Sequence, residues 1–209
     1  AAERPWREVT LADIADAAAS SLADVKREVA SKSQVVAAFA GMVDDEVLRR
    51  APRRQADQPA RDRLFEVIMT RFDVLQPYRS ALKSISGAGL PDPELIRPFL
   101  ASQAWMLESA GISASGLGGG VRALGLAGIY SQVVRIWLDD DDPGQARTMA
   151  ALDRRLRRAG ETIGRVEEMC SGVSRVLSSI LPVFGGRRTT TETSAQPPDD
   201  PGRAADPAR

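Results

Sequence analysis

The chain has 209 residues, 28 Lys and Arg against 28 Asp and Glu, no histidine and one cysteine, Cys170. Zero net charge removes bulk basicity as an argument for nucleic acid. The absence of histidine excludes Ser-His-Asp and Cys-His catalysis, histidine metal sites and a histidine pH switch. One cysteine makes neither an internal disulfide nor a thiolate zinc site. No apolar run approaches the roughly 20 residues of a bilayer span, and no signal peptide opens the chain. A cytoplasmic, non-enzymatic protein without metal or cofactor is therefore expected.

From Val9 to Phe184 the apolar residues recur with helical period, and no segment alternates as a strand, so the predicted fold class is all-α. Thr10 caps a short helix through Leu11, Ile14 and Ala15. Ser21 caps a second through Leu22, Val25 and Val29, and Ser31 a third that runs to Pro52. Three short helices joined by tight turns make a tri-helical unit over residues 1–50. A polar linker, Arg53 to Ala60, leads to a helix with the stripe Leu64, Phe65, Ile68, Phe72 and Leu75.

A short helix from Tyr78 to Ile85 ends at Gly87, and Pro91-Asp92-Pro93 opens a longer one through Leu107. The glycine-rich run Gly116 to Gly120 reads as a flexible loop before an apolar helix from Val121 to Leu138. Asp142-Pro143 then reads as an N-cap and first-turn proline for a helix through Met149, Leu152 and Leu156. The four carboxylates from Asp139 to Asp142 lack calcium-loop spacing and read as a solvated turn.

Ile163, Val166, Cys170, Val173, Leu177, Ile180 and Phe184 form a heptad-like stripe with Ser and Gly on the opposite face. Such a stripe pairs as a coiled coil, docks on its own bundle, or lies on a membrane as a peripheral contact through residues 163–184. The segment 185–209 carries Thr, Pro, Gly and charge and reads as a disordered tail.

A helix ending near Ala17, a turn at Ala18-Ala19-Ser20 and a second helix capped by Ser21 is helix-turn-helix spacing. The run Val9-Thr10-Leu11-Ala12-Asp13-Ile14-Ala15, then Ser21-Leu22-Ala23-Asp24, Ser31-Lys32 and Phe39, resembles the DNA-binding domain of TetR-family regulators. The resemblance implies a TetR-like fold, with a helical ligand-binding and dimerisation domain over 61–184 and a homodimer. It implies a double-stranded DNA operator as partner, with DNA-binding roles for Thr10, Ser21, Leu22, Lys26, Arg27 and Lys32. It also implies that the first helix of the family would lie mostly before Ala1.

Departures accompany the likeness. Ala19 stands where that family usually has glycine, Lys26 where it has an aromatic, and Glu28 adds a carboxylate to the recognition helix. Residues 1–50 hold seven cations against nine anions, so phosphate attraction falls to a local patch of Lys26, Arg27 and Lys32.

A second likeness lies nearer the end. Trp137-Leu138-Asp139, the Asp-rich turn, Thr148 and Leu152-Asp153-Arg154-Arg155-Leu156 resemble the C-terminal domain of the lipid-binding accessory protein of ubiquinone biosynthesis. That resemblance implies a lipid ligand and a helix-turn-helix that no longer binds DNA. Phe72, Phe99, Trp105, Met106, Tyr130 and Trp137 are either core or the lining of a cavity for a small apolar or lipid ligand. The small residues Gly125, Ala127, Gly128 and Ser131 permit close helix approach, within the bundle or across a dimer.

Overall fold

The computed structural model describes residues 1–51, 57–88 and 92–160. The expectations for the stripe Ile163 to Phe184, for Cys170, for the tail 185–209 and for the first half of the linker lie outside these residues. The fold is all-α: the described residues contain helices and turns and no strand.

Three helices open the chain: α1 (Leu11–Ala17), α2 (Leu22–Glu28) and α3 (Lys32–Arg50). Their caps are those the sequence specifies. Thr10 and Ser21 each form a reciprocal capping box with the Asp three residues on, and the Ser31 hydroxyl accepts from the Gln34 amide. Between α1 and α2 the chain turns by a Schellman motif. The Ser20 amide donates to Ala15, the Ala19 amide donates to Asp16, and Ala19 takes the left-handed conformation at φ 47°.

This tri-helical unit seals little core. Of residues 1–42 only Val9 and Ala15 are buried, while Ile14, Val25, Val35 and Phe39 are half-buried. The second half of α3 behaves differently, because Val43 and Val47 enter the main core.

That core is built by α3, α4 (Ala60–Leu75), α6 (Ile96–Ser109), α7 (Gly116–Leu138) and an eighth helix, α8, over residues 146–160. The short α5 (Arg79–Ser86) follows a 3-10 turn at Gln76–Tyr78. Of the α4 stripe, Leu64, Ile68, Phe72 and Leu75 are buried, together with Val67, while Phe65 is half-buried against the same core. At the centre Phe72 stacks between Tyr130 at 5.7 Å and Trp137 at 5.3 Å between ring centroids.

One charge lies inside the apolar stripe. Arg71 of α4 is buried, paired with Asp44 of α3, and its Nε donates to the Tyr130 hydroxyl at 3.0 Å. The Ser102 hydroxyl of α6 donates to the other Asp44 oxygen. Four helices thus meet at one satisfied polar centre in an apolar core, where breaking a single bond strands a charge.

Two boundaries differ from the sequence reading. The run Gly116 to Gly120 is the opening of α7 rather than a loop. Packing accounts for one of these glycines: Gly119 lies so close to Ala114 that a Cβ would overlap its backbone carbonyl. Nor is Asp142-Pro143 the start of α8. A turn with Gln145 at φ 52° intervenes, and the helix begins at 146.

Asp142 still caps it, accepting from the Gly144 and Ala146 amides at 3.0 and 3.1 Å. The Asp-rich turn is not wholly solvated, since Asp140 is buried and accepts from the Thr148 amide and hydroxyl. Its neighbours reach α5, with Asp139 paired to Lys83 and Asp141 to Arg79.

Candidate nucleic-acid interface

The exposed residues Thr10, Ser21, Leu22, Lys26 and Arg27 are carried by α1, α2 and their caps. The Thr10 hydroxyl accepts from the Asp13 amide at 3.1 Å and donates to the Asp13 carboxylate at 2.6 Å. Ser21 repeats the same pair of bonds with Asp24 at the same distances. Both hydroxyls are therefore part of the local scaffold, and each cap points an anion at its own helix start. Hydrogen bonds from Thr10 and then Arg4 hold the Asp13 carboxyl far below the usual range, and those from Ser21 lower Asp24.

Leu22 is 52% exposed at the first turn of α2. Lys26 is exposed and makes no ion pair among the described residues, whereas Arg27 pairs with Asp24 on its own helix. The cation patch expected from the sequence is thus reduced to one uncommitted charge. Lys32 is the clearest change. Its ammonium donates to the carbonyls of Trp6 at 2.8 Å and Val9 at 2.7 Å and lies 4.8 Å from the centre of the Trp6 ring. It serves to hold the preceding 3-10 turn, Trp6–Glu8, onto α3. That turn is fixed from its other side by the Trp6 amide, which donates to the Ser84 hydroxyl of α5 at 2.9 Å.

The first turn of α3 has a further set of partners. Ser31 and Gln34 both donate to the Glu94 carboxylate, at 2.8 and 2.9 Å, and Ser33 donates to Asp92. Both acids belong to the 3-10 turn Pro93–Leu95 and its N-cap, which lead directly into α6. The Ser33 hydroxyl and then the Glu94 amide hold the Asp92 carboxyl below its ordinary range. The sequence does not single out these acids. Their partners lie some sixty residues away, and the visible signal was limited to an Asp between two prolines.

Of the six aromatic and Met residues considered for a ligand cavity, Phe72, Met106, Tyr130 and Trp137 are packed together in the core and Phe99 is half-buried beside Tyr130. Trp105 does not join them, being 56% exposed on the outer side of α6. Two open hollows, of about 250 and 330 Å³, lie between Arg61, Phe65 and Leu156 and between Met42, Val74 and Tyr78. None of the six lines either hollow.

Further along, Leu117, Val121 and Leu124 are 94, 70 and 60% exposed at helical spacing on α7. Gly125 and Gly128 next to them have open space where a side chain would stand. No grouping of acidic or sulfur ligands suited to a metal occurs among the described residues, and none of their helices is long and apolar enough to cross a membrane. The chain matches no model of a known protein family, and no curated protein is similar to it.

Proposed function

We propose that the chain is a TetR-type transcriptional regulator, a non-enzymatic homodimer that docks α2 in the major groove of an operator. The observation that carries this reading is the helix-turn-helix corner. Two seven-residue helices are each entered through a capping box, turned through the left-handed Ala19, and present Leu22 and Lys26 to solvent. The exposed stripe Leu117, Val121 and Leu124 beside small residues supports pairing of two copies along α7. A small apolar ligand would enter by parting the packed rings around Phe72. A cytoplasmic location goes with this role.

Fluorescence anisotropy against the DNA upstream of the coding sequence, titrated with salt, tests the proposal. Specific binding should weaken steeply with salt, and Lys26→Ala should reduce the log–log slope by about 0.9, the share of one phosphate. Absence of any salt-dependent binding by the folded protein removes the regulator reading.

A second reading, a lipid-binding accessory protein whose helix-turn-helix no longer reads DNA, is favoured by one observation. Lys32 and every polar side chain of the first turn of α3 are already committed within the molecule. This reading expects isoprenoid or acyl species to co-purify, and a native mass spectrum free of lipid counts against it.

A further inference from the structure

Gln103 stands in the middle of α6 and is wholly buried, at 0% exposure. Residues 99, 103, 106 and 110 share one face of that helix, and Phe99, Met106 and Ala110 place this face against the main core. A primary amide there has two N–H donors and an acceptor oxygen to satisfy. Its Nε2 donates to the Phe99 carbonyl at 3.2 Å, which fixes which end of the amide faces the helix backbone. The Oε1 is buried and accepts no hydrogen bond from the described residues. Exchanging the two ends brings no relief, because it would set acceptor against acceptor at the Phe99 carbonyl.

A buried acceptor left in this way costs stability, and protein cores almost always avoid it. The donors of the core's polar centre are engaged elsewhere. Ser102 donates to Asp44, and Arg71 donates to Asp44 and to the Tyr130 hydroxyl. Phe99, whose carbonyl holds the amide, is the half-buried member of the ring cluster, with its centroid 6.1 Å from that of Tyr130. Tyr130 in turn stacks on Phe72. The ring cluster thus comes nearest the surface at Phe99 and carries an unpartnered acceptor one helical turn further along α6.

We propose that Gln103 is the polar anchor of a binding site for a neutral ligand with a ring-sized apolar body and one hydroxyl. The ligand moves the Phe99 ring aside and donates to the Gln103 Oε1. An acceptor fixed in surroundings of low polarity selects for a donor. It favours a phenol or an alcohol, gains nothing from a hydrocarbon, and repels a carboxylate. The inference rests on the apolar-ligand reading above, adds the group by which that ligand is recognised, and has a test that separates the two.

The experiment titrates the full chain by calorimetry with p-cresol and with p-xylene, which carries a methyl group in place of the hydroxyl. It is repeated with Gln103→Met, a side chain of similar length that offers only a weak acceptor. The readout is the ratio of the two affinities, which cancels the different costs of taking the probes out of water. That ratio should shift toward p-xylene by about tenfold in Gln103→Met, the worth of one buried hydrogen bond.

A ratio unchanged by the substitution overturns the assignment of Gln103 and leaves the apolar-ligand reading standing. Loss of both probes alike in the variant does the same, since it marks a purely structural role. If the parent binds neither probe, the ligand reading falls and the Gln103 site with it. Should Gln103→Met fail to fold, the parent decides by itself. It should bind p-cresol about tenfold tighter than 4-methylanisole, whose oxygen has no hydrogen to donate, and equal binding overturns the site.

Discussion

At the scale of single residues, the chain places local and distant chemistry side by side. Thr10, Ser21 and Ser31 could be identified as caps from the sequence because a cap acts within three residues of itself. Lys32 could not be assigned in the same way, since its carbonyl partners lie 23 and 26 residues earlier in the chain. Arg71 was equally hidden. It occupies a position on the apolar face of α4, and only the arrival of Asp44 and Tyr130 from other helices makes a charge tolerable there.

Ala19 is the residue with a direct conformational test. A side chain in the left-handed region costs roughly 1–2 kcal/mol, and glycine escapes that cost while losing some stability through its freer unfolded chain. Ala19→Gly should therefore stabilise the protein by about 0.5–1 kcal/mol, read from the urea midpoint at unchanged m-value. A lower midpoint would mean that the turn is not left-handed at this position.

At the scale of elements, the glycines of α7 separate sequence propensity from packing. Five residues from Gly116 to Gly120 include four glycines, and propensity alone assigns them to a loop. The helix nevertheless runs through them, and at Gly119 the close approach to Ala114 leaves no room for a Cβ. Gly120, one position on, faces open space.

Opposite outcomes are expected from the same substitution. Gly120→Ala should raise stability by about 0.5–1 kcal/mol through helix propensity. Gly119→Ala should lower the thermal midpoint, because backbone rather than a flexible side chain has to move. Equal effects from both would show that the α7 entrance is not packed on Ala114. The start of α8 teaches the same point differently: Pro143 fits a first helical turn by local rules, yet the side chain of Asp140, buried on Thr148, helps set where the helix begins.

At the scale of the whole molecule, stability should follow the carboxylates. Asp13, Asp24, Asp92, Asp139 and Asp140 are all held below their ordinary range by hydrogen bonds or cations. A group whose folded value is lowered adds stability above its unfolded value, about 3.9 for Asp, and loses it as pH falls through the folded one. With no histidine to titrate, the thermal midpoint should be level from about pH 8 to 5 and fall below about 4. A main transition between pH 5 and 7, followed by circular dichroism, would contradict this.

The sequence by itself determined the all-α class, the three capped helices of the first fifty residues and the buried stripe of α4. These follow from periodicity and from side chains that bond within one turn of their own position. Tertiary structure alone decided which charges remain available. Lys32, Arg71, Asp92 and Glu94 look like free surface or unassigned charge in the sequence, and each is committed by a partner that folding brings from elsewhere in the chain. Net charge, which first argued against a nucleic-acid partner, matters less than the contacts that hold the start of α3. The physical reason is range: propensity and capping act over a few residues, whereas an ion pair is specified only when the chain has closed around it.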